Sequence, residues 1–267
     1  MANNSPEVNP MLSVITVVRN GEKTIERSLK SVLPQLNKNI EYLIIDGKSV
    51  DETVSIIKKY ESHITYWHSK KDKNISDAFN QGIQKAKGEY IIFLNADDWF
   101  NEGVLAYFLS QNPTKDVIHG DIKYWSNGKE KLTRIGNDKF LEKEMTLNHP
   151  ATFMKLELIK KLGGFNISRK IALDYELILK AKKAGASFQH IPKTITNMSM
   201  DGISDANWFI SCKETYAVKQ EVLGKSSKNL FWFFKQSTTL LIIKSLERLG
   251  LDKVIFSLRN TSDKWAK

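Results

Sequence analysis

Apolar and polar positions alternate in blocks along the first 110 residues, and the blocks carry two periods. Residues 12–18 (LSVITVV) are a continuous apolar run, the mark of a strand buried on both faces, and Arg19-Asn20-Gly21 closes it as a turn. Beyond Thr24, a residue type suited to cap a helix, Ile25, Leu29, Val32 and Leu33 fall on one helical stripe, and Pro34 limits its extension. The alternation then repeats. Residues 40–46 predict a second strand ending in Asp46-Gly47-Lys48-Ser49, and the stretch carrying Val54, Ile56 and Ile57 predicts a second helix. A third strand falls at 64–67, a third helix at 75–86 and a fourth strand at 90–94 (YIIFL). Strand-then-helix units at this spacing require a largely parallel sheet with helices on its faces. Such sheets bind ligands beyond the carboxyl ends of their strands. Arg19-Asn20, Asp46 and Asn95-Ala96-Asp97-Asp98 are therefore where chemistry is expected.

The second half is less regular. Segments 117–125 and 131–135, either side of Asn127-Gly128, predict a hairpin. A strand at 151–154 precedes a helix at 156–162 that Gly163-Gly164 ends. Residues 174–184 have helical spacing up to Gly185, 188–191 form a short strand, and beyond Trp208 the pattern is helical with a boundary at Gly224. Three parts result: a polar extension (1–10), a main domain (11–224, its halves meeting at 98/99) and a tail (225–267).

Charge sharpens the last of these. Of a formal net charge of +10, the tail carries nine Lys/Arg against three Asp/Glu. Its aromatics Phe231, Trp232, Phe233 and Phe234 and aliphatics Leu240, Leu241, Ile242 and Ile243 mix with Lys235, Lys244 and Arg248. That composition predicts basic amphipathic helices, suited to the headgroup layer of an anionic membrane, or to packing on the main domain or a second subunit. The stretch 230–243 is interrupted by Lys235, Gln236 and Ser237 and falls short of the ~20 apolar residues of a membrane span. The first ten residues show no secretory signal, and a single cysteine, Cys212, excludes an internal disulfide or a Cys-based zinc site. The expected location is cytoplasmic, peripheral on the inner face of the membrane. The charge accompanies no nucleic-acid recognition motif.

Several residues carry two readings each. Asp97-Asp98 after the fourth strand suit a hard divalent cation with positions left for phosphate oxygens, or simply form an acidic turn before a helix near Glu102. Asp46 is a turn former or a hydrogen-bond acceptor for a nucleotide. Lys70, Lys71 and Lys73 are a solvated face or an attractor of phosphate. Asp174 is a helix cap or a general base beside a cleft, and His149-Pro150 a turn or a polar group beside substrate.

Together, SVITVVRNG, EYLIIDGKSVDET, KDKNISDAFNQGIQKAKGEYIIFLNADD, HPATFMKLELIKKLGGF and ALDYELILKAKKAG, in this order, resemble the family 2 glycosyltransferases, especially those assembling bacterial surface and exopolysaccharides. The resemblance spans 12–191. It implies a GT-A-type α/β fold: a Rossmann-like, nucleotide-binding half with a mainly parallel sheet, then an acceptor-binding half. It also implies inverting transfer of a sugar from a nucleotide diphosphate, by family habit UDP, to a saccharide or lipid-linked saccharide. Asp97 then stands at the Mg²⁺- or Mn²⁺-binding acid of the DxD motif, and Asp174 at the general base. Val17, Arg19, Asn20, Asp46, Lys73, Asn95 and Ala96 join Asp97 on the nucleotide-sugar side. Asp98, His149 and Gly164 fall on the acceptor side. The chain departs from the family pattern at Asn95, usually Asp, at Gly47, usually a second acid, at Lys48, Val50 and Glu52, and at Asn74, often Gly. Two other readings compete: a nucleotidyltransferase, for which the Gly-rich phosphate loop is missing after the first strand, and a catalytically silent sugar-nucleotide-binding or membrane-scaffold module, which Asn95 favours and Asp97 with Asp174 oppose.

Overall fold

The computed structural model describes residues 9–126, 128–199 and 207–249. Strands β1 (Leu12–Val18), β2 (Ile40–Asp46), β3 (Tyr66–Ser69) and β4 (Tyr90–Phe93) are all parallel, linked through helices α1 (Ile25–Val32), α2 (Thr53–Lys59) and α3 (Ile75–Lys85). Every residue of β1 and β2 is buried, as their unbroken apolar runs demand. The chain continues through β5 (Trp99–Phe100), α4 (Val104–Ser110), β6 (Val117–Ser126), β7 (Lys129–Arg134), β8 (Thr152–Lys155), α5 (Leu156–Lys161), α6 (Leu173–Lys183) and β9 (Phe188–Ser199). The strands form one sheet in the order β3-β2-β1-β4-β8-β6-β9-β5, with β7 paired to β6. In this second half β8 runs antiparallel to β4 and β6, β5 antiparallel to β9, and β9 parallel to β6.

Three local expectations shift. β3 begins at Tyr66, two residues later than the apolar pattern places it, and its register sets Ser69 opposite Asp46. β9 runs eight residues beyond Ile191. Its polar continuation lies beyond the apolar run that marks 188–191, yet Thr196 and Asn197 are buried between β6 and β5 and hydrogen-bonded there. Thr24 precedes α1 without capping it through its side chain. The carbonyl of Gly21 takes the N–H groups of Thr24 and Ile25 instead. α4 starts at Val104, behind a left-handed Gly103 and two residues past Glu102.

Helices cover both faces of the sheet. One core joins Phe79 of α3 and Phe93 of β4 to Ile159, Phe165, Leu173 and Leu177; the other holds Ile25, Leu29, Ile57, Val104, Phe108 and Phe153. Gly224, with φ of 88°, separates α7 (Trp208–Leu223) from α8 (Ser227–Arg248). α7 packs on α6 and inserts Cys212, Val218 and Lys219 into the interior. Among the described residues no helix is long and apolar enough to cross a membrane.

Candidate active site

The carboxyl edge of β1 and β2 is laced by polar bonds. Asp46, buried at the end of β2, accepts hydrogen bonds from the Ser49 N–H (3.0 Å), the Ser49 hydroxyl (2.5 Å) and the Ser69 hydroxyl (2.5 Å). Asn20, at a positive φ of 52°, donates its N–H to Ser49 Oγ (2.7 Å) and accepts from the Val50 N–H (3.0 Å). Arg19 extends exposed from the same loop, and Lys73 is exposed on the loop after β3. Val17 packs into the core beneath this edge.

Gly47 has a physical reason to lack a side chain. A Cβ there meets the Asp72 carboxylate at 2.3 Å and Arg19 Cβ at 3.4 Å. Asp72, from the loop after β3, thus fills the space that an acid at position 47 needs. Lost solvation pushes its carboxyl up, Arg19 pulls against this, and Asp77 and Asp46 push it further.

Beyond β4, Asn95 and Asp98 close a turn, the Asp98 N–H donating to the Asn95 carbonyl (3.1 Å). Asp98 is 1% exposed. One carboxylate oxygen accepts from Asn95 Nδ2 (3.2 Å), and the other, fully enclosed, has no partner. Burial first, then the charge of Asp97, raises its pKa well above the usual carboxylate range. Asp97 is partly exposed, and its main-chain carbonyl accepts from Arg27 Nη2 (2.7 Å); Ala96 beside it is half-buried against the α1-side core. Among the described residues no three acidic, His or Cys side chains surround a common point. The partly exposed Asp97 carboxylate, an oxygen donor at the sheet edge, fits a hard cation that substrate phosphate completes.

Asp174 occupies the first turn of α6, partly buried. Lost solvation raises its carboxyl to about 6, against hydrogen bonds from backbone N–H groups, chiefly that of Tyr175 (2.7 Å). The turn before it is fastened from α7: Glu214 accepts from the N–H groups of Lys170 (3.0 Å), Ile171 (2.9 Å) and Ala172 (3.0 Å). Those bonds hold the Glu214 carboxyl below its usual range despite burial. Leu173, one residue before Asp174, shares a core with Phe93, four residues before Asp97.

His149 packs into the aromatic part of this core. Its ring stacks on Phe93 (4.9 Å between centroids) and meets Phe79 and Phe165 edge-on. Burial lowers its pKa to about 4, so the ring is neutral, and Nε2 has no partner. Gly164, at φ of 69°, ends the turn after α5, where a Cβ meets Asn80 Oδ1 at 2.6 Å. It shapes the loop toward Asp174. Neither Asp98 nor His149 presents an exposed side chain.

Arg27, Asp72, Trp99 and Glu214 escaped sequence reasoning. The first three lie off any motif spacing, and Glu214 is separated from Asp174 by 40 residues.

A parallel sheet with acidic loops on its carboxyl edge, extended by a mixed half that brings a helix-heading carboxylate to the same core, defines a GT-A-type fold. Solved structures agree: S. aureus TarS superposes with a TM-score of 0.65 at 20% identity, over 85% of this chain and 72% of that one. A mannosyltransferase from Pyrobaculum calidifontis gives 0.64 at 15% identity over 96% and 83%. The chain belongs to glycosyl transferase family 2, whose family model matches residues 13–175, and is a glycosyltransferase. An uncharacterized glycosyltransferase of Mycobacterium tuberculosis is 33% identical over 185 residues, 64% of this chain and 69% of that relative.

Proposed function

We propose that the chain is an inverting, divalent-metal-dependent glycosyltransferase. It moves a sugar from a UDP-linked donor to a hydroxyl of a saccharide or lipid-linked saccharide in bacterial surface-glycan synthesis. One observation carries this reading: the acidic loop after β4 and the carboxylate heading α6 both spring from one aromatic core. Structures of TarS hold UDP and UDP-GlcNAc, and the Pyrobaculum mannosyltransferase holds GDP-Man and Mn²⁺, which supports a nucleotide-sugar donor and a cation.

In this reading Arg19, Asn20, Asp46 and Lys73 bind the nucleotide, with Asp72 supplying the second acid that Gly47 lacks. Asn95, Ala96 and Asp97 face the diphosphate. Asp97 holds Mg²⁺ or Mn²⁺, which when bound neutralises charge developing on the leaving diphosphate. The acceptor oxygen attacks the anomeric carbon from the face opposite the diphosphate, while Asp174 takes its proton. The buried, neutral His149 and the turn at Gly164 keep the floor between them rigid and dry. UDP released from UDP-sugars with Mn²⁺ present tests the reading, and a chain that neither binds nor turns over any nucleotide sugar refutes it.

The raised Asp174 carboxyl sets a pH dependence. Its ionised, proton-accepting form grows in as pH rises through about 6. We therefore expect kcat/KM to climb about tenfold per pH unit below that point and to level above it. An acid limb at the ordinary carboxylate value of about 4 contradicts the assignment.

The proposed membrane contact has its own support. On α8, Leu230, Phe231, Phe234, Leu241 and Ile242 are exposed at helical spacing, opposite the buried Ile243, with exposed Lys228 and Lys235 alongside. An apolar stripe edged by lysines suits an interfacial helix on anionic lipid. The full chain should float with phosphatidylglycerol vesicles, and Phe231→Glu with Leu241→Glu should leave it in the dense fraction. Equal recovery of both proteins rejects the contact.

A further inference from the structure

A pocket of about 230 Å³ opens beside the Asp97 loop, lined by Arg27, Trp99, Trp125, Ser126, Gly128 and Ser199. Its walls are unusual for a surface cleft. Two partly exposed indoles stand 5.7 Å apart, tilted by 51°. The guanidinium of Arg27 lies 3.8 Å over the Trp99 ring, and its Nη2 donates to the Asp97 carbonyl. The Trp125 ring is held in place from below. Trp125 Nε1 donates to Oδ1 of the buried Asn197 (2.8 Å), whose Nδ2 donates to Asn101 (2.7 Å) and reaches the Trp99 carbonyl (3.4 Å).

Arg27 already covers Trp99, which leaves the partly exposed Trp125 ring as the free aromatic wall of the pocket. The volume is below the about 300–1,000 Å³ of drug-sized sites, room for a single sugar ring. A pyranose matches such walls: its axial C–H face lies flat on an indole, and its equatorial hydroxyls reach the guanidinium and the two serines at the rim. Among the described residues no other cation lines the pocket.

We propose that this pocket is a subsite for one pyranose ring of the acceptor glycan, with the Trp125 indole as its platform. The inference rests on the transferase reading above for the identity of the sugar as acceptor. Binding itself is tested without turnover. Saturation-transfer NMR on the full chain, with methyl β-D-glucopyranoside, methyl β-D-galactopyranoside and N-acetylglucosamine as probes, should show contact from at least one. Trp125→Ala should weaken that contact at least tenfold, and Trp125→Phe, which keeps a ring face, should restore most of it. UDP binding in the presence of Mn²⁺, measured on the same samples, reports separately on folding and on the donor site. No saturation transfer from any probe, or the same contact in wild type and Trp125→Ala, overturns the subsite. Loss of UDP binding from the wild-type protein, with sugar contact intact, instead refutes the transferase reading and leaves the pocket standing.

Discussion

Asp174→Asn is expected to abolish sugar transfer while UDP still binds and the protein becomes more heat-stable. The rate loss expected for removing a general base is about 10²–10⁴-fold in kcat. The stability gain follows from the sign of the pKa shift. A carboxyl whose folded pKa is raised to about 6 stabilises the fold only at low pH, and that contribution is lost as pH rises through 6. At neutral pH the native protein therefore holds an ion in a poorly solvated position, and the isosteric amide relieves it. Kinetics, UDP titration and a melting curve on one preparation check all three parts. A variant that transfers normally, or one that loses UDP binding while its chemistry survives, removes Asp174 from the role of base. A lowered Tm shows instead that the carboxylate is structural.

Asp97→Asn is expected to cost at least about 100-fold in kcat/KM, since charge neutralisation of a leaving diphosphate contributes several kcal/mol. It should also erase the response of UDP binding to Mn²⁺. Asp98→Asn should behave differently. That side chain is enclosed, burial raises its pKa, and an amide oxygen can still accept from Asn95, so the expected result is a Tm held or raised and a response of UDP binding to Mn²⁺ that survives. Titrating UDP into each variant with and without Mn²⁺ separates the two acids. An Asp97→Asn protein whose UDP affinity still rises with Mn²⁺ places the cation elsewhere.

The sheet of the first half was legible because nothing competes with its pattern. Strands β1, β2 and β4 are buried on both faces, so their apolar runs mark them almost to the residue, and Asn20, Asp46 and Asp97 fall at or just beyond their carboxyl ends. Legibility fails where polar residues are buried. Thr196 and Asn197 fall outside the predicted strand because their partners, Pro150, Asn101 and Trp125, lie 46 to 96 residues away. The short β5 exists only by pairing with that same stretch. The site shows the same division. Asp97 and Asp174 stand out from the motifs that contain them, whereas Asp72 fills the gap above Gly47 and Glu214 fastens the turn before Asp174 through contacts that no local spacing announces. Gly47 illustrates this best. As a sequence feature it is a missing acid, and in three dimensions another acid already occupies its place.

In the proposed reaction, the acid after β4 and the acid heading α6 serve one reacting centre. A crystal structure of the full chain with Mn²⁺ and UDP tests it most directly. The expected result is an ion bonded to the Asp97 carboxylate and to the diphosphate, with the Asp174 carboxylate across an open gap on the side away from the β-phosphate. An ion bound without Asp97, or an Asp174 carboxylate turned toward a surface that the nucleotide does not reach, contradicts it.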